Sequence, residues 1–246
     1  MIRISAVNYL NATPFIYGIN NSVYLKNHKI ELSLDIPSIC AKKLINGDVD
    51  IGLIPIATIP DVTNGSIISK YCIGANGKVG SVLLLSDVPL ENITKIYLDY
   101  QSRTSVSLIK IIYNKWLKFD PLWIESEPGY EKQIKGTTGG IVIGDRALQI
   151  KDNYKFSYDL SELWKQYTNL PFVFACWITR IPLGKPFMQD FESALQWGLK
   201  NKQHIKHQIG YPLDIESYLS KFIKYELDED KKKAMELFFE LSGEIN

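Results

Sequence analysis

Short apolar stretches alternating with amphipathic ones are the first signal along this chain. Ile2 to Ala6 is an apolar run that predicts a strand. Ile30, Leu32 and Leu34 alternate with polar residues, the period-two pattern of a half-buried strand. Ser38 stands as an N-cap for a helix through Leu44 and Ile45, and Gly47 supplies its stop. Asp50 to Pro55 predicts a third strand that ends at a proline. A strand–helix–strand order of this kind implies a parallel sheet covered by helices.

The middle of the chain repeats the plan. Lys95 to Asp99 predicts a strand that leads into a helix over Thr104 to Lys118. Val106, Ile109, Tyr113, Trp116 and Leu117 recur on that helix at the spacing of one apolar face. Leu122 to Ser126 and Gly139 to Asp145 predict further strands, the second followed by a helix from Arg146. Two extended apolar segments, Ser81 to Ser86 and Pro171 to Ile178, link the units. If both cross, domain II is 87–170, and domain I is discontinuous, 1–86 with 171–246. Helices predicted over Pro186–Lys200, Ile215–Tyr225 and Asp228–Leu241 complete domain I. The expected fold is α/β, with two domains, two crossover strands and an interdomain cleft. In open α/β sheets ligands sit beyond the carboxyl ends of the strands, so the cleft is where a ligand is expected.

Charge removes one class of partner. With 28 basic and 27 acidic residues the net charge is +1, leaving no surplus to neutralise nucleic-acid phosphates. The run Lys231 to Lys233 follows Glu226, Asp228, Glu229 and Asp230, and Ala234, Met235, Leu237, Phe238 and Leu241 come after it. That order reads as a helix with an acidic first turn, suited to the macrodipole, and with its lysines on a solvated face. The opening MIRISAVNYL lacks the charged leader and apolar core of a secretory signal, and no apolar run reaches the ~18 residues that span a bilayer. A cytoplasmic setting without membrane or nucleic-acid partners is expected; an exported protein that has lost its leader is the competing case. Cys40, Cys72 and Cys176 are far apart and odd in number, which favours three core residues over a disulfide framework.

Four segments carry candidate chemistry. Asp99 to Ser105 lies between a strand end and a helix start. There the hydroxyls of Ser102, Thr104 and Ser105, the unpaired first N–H groups and the planar fork of Arg103 suit a carboxylate or phosphate. Ordinary capping by Ser and Thr, with Arg103 solvated, is an equal reading. Asn8 to Phe15 opens the first helix, with Pro14 in its first turn; Asn11 either hydrogen-bonds a ligand or acts as an N-cap. Gly80 permits close backbone approach before Ser81, a serine of little weight by itself. Gly144 and Asp145 close a strand, and Asp145 either faces a ligand or caps the next helix. The histidines, His28, His204 and His207, offer no third ligand to a metal, and His204 and His207 read as surface residues. GxSxG, P-loop, HExxH and GxGxxG motifs are absent. No metal and no cofactor is expected.

Together these segments resemble the chorismate dehydratase family of menaquinone biosynthesis. The resemblance is carried by VNYLNATPF (7–15), NGDVDIGLIP (46–55), GKVGSVLLLS (77–86) and YQSRTSVSL (100–108). GGIVIGDRAL (139–148), DLSELWKQYTNLPFVFACW (159–177) and YLSKFIKYEL (218–227) extend it over nearly the whole chain. The element order matches the type 2 periplasmic-binding-protein-like architecture. The resemblance implies conversion of chorismate to 3-[(1-carboxyvinyl)oxy]benzoate and water, the first step of the futalosine pathway. By position it implies Asn11 and Ser81 as the catalytic polar pair. It implies Ser102, Arg103, Thr104 and Ser105 as a carboxylate receptor, and Gly144 and Asp145 as substrate-lining residues. No His, Lys or Glu stands out as the base, and the substrate's own enolpyruvyl carboxylate is the expected proton acceptor. The competing readings are a non-catalytic binding protein for a small organic anion and a different enzyme on the same fold. The oligomeric state is not legible.

Overall fold

The computed structural model describes residues 1–205 and 215–244. β1 (Ile2–Val7) runs through a 3-10 turn at Leu10–Ala12 into α1 (Thr13–Asn21), with Pro14 in the first turn, where a missing N–H costs nothing. β2 (Ile30–Asp35) and α2 (Pro37–Asn46) follow. Gly47, at φ +83°, ends α2 in the left-handed conformation that glycine adopts without strain. Ser38 lies inside the first turn of α2: Ile36 holds the cap position because Pro37 already fixes a helical φ. β3 (Ile51–Pro55) and β4 (Ser66–Ala75) complete this stretch.

Next come β5 (Val82–Ser86), β6 (Lys95–Leu98) and α3 (Arg103–Ile111), continued by a π-helical stretch to Leu117. β7 (Leu122–Glu125), β8 (Thr138–Ile143), α4 (Gly144–Ile150), β9 (Phe156–Asp159) and α5 (Leu160–Thr168) follow. The chain closes with β10 (Phe172–Thr179), α6 (Lys185–Lys200), the short α7 (Ile215–Ser217), β11 (Lys224–Glu226) and α8 (Glu229–Gly243). The helix predicted over Ile215–Tyr225 is thus a short helix, a π turn over Tyr218–Phe222 and a strand.

Two sheets result. One has the order β11-β4-β10-β3-β1-β2, the other β7-β6-β8-β5-β9. β1 pairs in parallel with β2 and β3, and β6 with β7 and β8. Both sheets are nonetheless mixed, because β10 runs antiparallel to β3 and β5 antiparallel to β8 and β9.

The chain divides into two compact units, Met1–Ile73 with Phe174–Leu227 and Gly74–Val173 with Asp228–Asn246. The divisions fall inside β4 and β10, so these strands pass between units. Ser81–Ser86, read from sequence as a link, is instead the buried strand β5 between β8 and β9. The C-terminal helix groups with the second unit, not the first, because its apolar face packs there: the Phe238 ring lies 5.5 Å from Phe172 and 6.5 Å from Trp164. Lys231, expected on a solvated face, is buried at 3% exposure with Nζ 2.8 Å from Asp228. Gly74 leaves room for its stem: a Cβ there would stand 3.2 Å from the Lys231 Cε.

In the first unit Phe15 packs edge-on against Trp177 (5.8 Å) and Tyr225 (5.2 Å). Helices α1 and α6 meet backbone to backbone. A Cβ at Gly18 would fall 2.1 Å from the Ala194 carbonyl oxygen, and one at Gly198 2.0 Å from that of Pro14. Cys40, Cys72 and Cys176 are buried and unbridged, as expected of core residues. His28 pairs with Asp190 at 2.7 Å, His204 is exposed, and His207 lies outside the described residues. Among the described residues no helix is long and apolar enough to cross a membrane.

Candidate functional site

In the second unit the carboxyl ends of β6 and β8 come together around Asp99. Its buried carboxylate accepts from the Gln101 N–H (2.8 Å), the Ile143 N–H (3.2 Å), the Tyr130 hydroxyl (3.0 Å) and Arg146 Nη2 (2.6 Å). Burial pushes this carboxyl up, and the Arg146 cation works against that push. Arg146 also donates from Nη1 to Glu131 at 2.5 Å, and its guanidinium lies over the Tyr100 ring at 5.2 Å. Burial acts against the charge of Arg146, but Asp99 holds the guanidinium above its ordinary value. The network fixes where α3 and α4 begin.

At the start of α3, Ser102 is the N-cap. Its Oγ accepts from the Ser105 N–H at 3.0 Å and donates to the Ser105 hydroxyl at 2.8 Å. Ser102, Thr104 and Ser105 are buried, whereas Arg103 is exposed. The capping reading is therefore the one seen for Ser102. Arg103 is the first residue of α3 and directly follows this cap.

The loop before β5 is tied at both ends. Gly80 has φ +77° and Gly144 φ +63°, and the Gly144 N–H donates to the Ser81 carbonyl at 2.8 Å. Ser81 itself is fully buried. Before it, the Val79 and Gly80 N–H groups donate to one carboxylate oxygen of Asp159, at 2.9 and 2.6 Å. The other oxygen caps α5 through the Ser161 and Glu162 N–H groups. Burial pushes the Asp159 carboxyl up to about 6. Asp145 is half-buried in the first turn of α4, where Ile143 takes the cap position, so Asp145 is not that cap.

Asn11 stands in the first unit, in the 3-10 turn ahead of α1. The cap positions belong to Tyr9 and Ala12, so Asn11 caps neither helix. Its backbone carbonyl accepts from the buried Tyr225 hydroxyl at 2.9 Å. Its side-chain Oδ1 is buried and has no hydrogen-bond partner among the described residues. A buried amide oxygen left this way is costly unless something else fills it. Thr13, next to it, donates its hydroxyl to Leu10 at 2.7 Å, and Asn8 is exposed.

The structure thus brings Ser81 and Gly144 into direct contact, and Ser102 and Ser105 likewise, within one unit. Sequence reading missed Asp159, Tyr130 and Tyr225. Asp159-Leu-Ser-Glu162 has the form of a helix cap, but nothing local points to a loop far upstream. Among the described residues no three His, Cys, Asp or Glu side chains are grouped to hold a metal ion.

The chain is 27% identical to the chorismate dehydratase of Thermus thermophilus, across 96% of this chain and 93% of that protein. An Archaeoglobus fulgidus crystal structure superposes with a TM-score of 0.71 at 14% identity, covering 99% and 97% of the two chains. A Candida albicans gene product described as exhibiting the generic periplasmic binding protein structural fold gives 0.62 at 16% identity, covering 99% and 90%. The fold is of that two-domain α/β type. The sequence model of the menaquinone biosynthesis family matches residues 2–244, and the chain belongs to that family.

Proposed function

We propose that this protein is a hydro-lyase that converts chorismate to 3-[(1-carboxyvinyl)oxy]benzoate and water in the futalosine route to menaquinone. The observation that carries the reading is the similarity to the Thermus thermophilus chorismate dehydratase along 96% of the chain. Family membership and the orphaned amide oxygen of Asn11 support it.

Chorismate carries two carboxylates, a hydroxyl at ring C4 and an enolpyruvyl ether at C3. Loss of the C3 proton and the C4 hydroxyl leaves a benzene ring, so aromatisation drives the step. The ring carboxylate is conjugated to C3 and takes up the electron density that the departing proton leaves. Donors placed at that carboxylate stabilise the developing charge. Ser102, Arg103, Thr104 and Ser105 are assigned to a substrate carboxylate, and Gly144 and Asp145 to lining the substrate. Asn11 Oδ1 is assigned to accepting a hydrogen bond from the substrate hydroxyl, and Ser81 to proton transfer or hydroxyl departure. The C3 proton passes to the substrate's own enolpyruvyl carboxylate and leaves with the hydroxyl as water, so no side-chain base is required. This reading places the reaction in the cytoplasm.

The test is purified protein with chorismate and no added metal, followed by loss of the cyclohexadiene absorbance and by product mass. Loss of one water, giving the enolpyruvyl benzoate, is the expected outcome. Unchanged chorismate with folded protein overturns the reading and leaves a binding protein for a small organic anion.

A further inference from the structure

Among the described residues three helices are capped by side chains, and one cap does more than the others. Ser102 caps α3 with its single oxygen. Asp228 caps α8 through Oδ1, and its Oδ2 takes the Lys231 ammonium. Asp159 caps α5 through Oδ1, and its Oδ2 reaches back about 80 residues to the Val79 and Gly80 N–H groups. A cap needs one oxygen, and Ser serves as well as Asp. The second oxygen of Asp159 therefore has a separate task. Among the described residues no cation pairs with it, so the fold buries a carboxylate held only by backbone dipoles, which an uncharged cap would avoid. β9 lies beside β5, with Leu83 opposite Asp159, so the carboxylate stands where the chain turns into Ser81.

We propose that Asp159 is a positioning residue: its second carboxylate oxygen fixes the Val79–Gly80 turn and thereby sets where Ser81 stands relative to substrate. The proposal rests on the reading of Ser81 as a catalytic residue. The backbone at Gly80 is in a left-handed conformation with open space where a Cβ would be, so no side chain of its own fixes its dihedrals, while Val79 beside it is fully buried. Two N–H bonds to Asp159 before it and the Gly144 N–H bond at Ser81 tie its backbone on either side. Glu162, on α5, is the charged group acting on Asp159, and it pushes the carboxyl in the same upward direction as burial.

Asp159→Ser separates the two tasks, because serine keeps a cap for α5 and has no second oxygen for the turn. Amide hydrogen exchange at Val79 and Gly80 reads the turn without reference to any activity, and chorismate turnover reads the consequence. In the serine variant, exchange at those two amides accelerates at least about tenfold while the α5 amides stay protected. The turnover number falls about 100-fold, with KM within about threefold, the size of loss expected when a reacting group is displaced by about an ångström. Asp159→Asn, which keeps one carboxamide oxygen, serves if the serine variant does not fold and is expected to show the same accelerated exchange. Unchanged exchange at Val79 and Gly80 overturns the proposal, as does normal turnover despite faster exchange. A wild-type protein inert toward chorismate sinks the dehydratase reading by itself, and the exchange experiment still decides whether Asp159 holds the turn.

Discussion

Gly144 donates its backbone N–H to the carbonyl oxygen of Ser81 at 2.8 Å, joining the start of α4 to the start of β5. The bond requires φ +63° at Gly144, a conformation that costs an L residue about 1–2 kcal/mol. Gly144→Ala is therefore expected to lower the melting temperature by about 2–8 °C. It also loosens Ser81, so turnover falls by more than the stability change alone would cause. Thermal melts and chorismate kinetics on the same preparation check both.

Asn11→Ala separates stability from turnover in the opposite way. Its side-chain oxygen is buried and has no hydrogen-bond partner among the described residues, so its removal costs the fold little, and the melting temperature moves by less than about 3 °C. Turnover is expected to fall about 100-fold if, as proposed, the lost group meets the substrate. A large stability loss with full activity would return Asn11 to a purely structural role.

Arg146→Met leaves Asp99 buried with three neutral donors and no cation. Breaking a buried pair from one side costs about 3–5 kcal/mol, and urea unfolding should show a loss of that size. Adding Asp99→Asn to the same chain removes the stranded charge and recovers part of the loss. A double variant as unstable as the two single losses added together would show that the pair is not coupled.

The pH dependence follows from Asp159. Its folded-state carboxyl is pushed up to about 6, above the ordinary carboxylate range, so the folded chain holds this proton more tightly than the unfolded chain does. The stabilisation from that proton is fully present below the unfolded value, near 4, and is lost as pH rises through about 6. Activity is expected to run the other way. Protonation removes an acceptor from the turn before Ser81, so kcat/KM falls as pH drops through about 6, and in Asp159→Ser this limb flattens. Activity and melting profiles of both proteins from pH 5 to 8 check the opposed trends.

Much of this architecture was legible because it is local. The cap at Ser102, the stop at Gly47 and the strand at Ile30–Asp35 each follow from a few neighbouring residues. β4 escaped notice because Ser69 and Lys70 interrupt its apolar pattern. Asn11 was open to being read as a cap because a 3-10 turn before α1 leaves no mark in sequence. Lys231 looked solvated because burial of a lysine stem depends on Gly74, far away in the chain. The second task of Asp159 was hidden for the same reason: it arises from the pairing of β9 with β5. Local chemistry shows in a sequence, whereas a contact set by strand register shows only once the strands are paired.

Since α1 and α6 touch through Gly18 and Gly198, with no side chain between them, sequence drift on α6 is felt beside Asn11. Elsewhere on a helix an added methyl is absorbed by a rotamer change in a neighbour. At this crossing the neighbour is a carbonyl oxygen, which has no rotamer to change, and the helix that follows Asn11 would have to move instead. A saturation screen for growth or turnover should therefore find these two glycines among the least replaceable positions in the chain, though neither has any chemistry of its own.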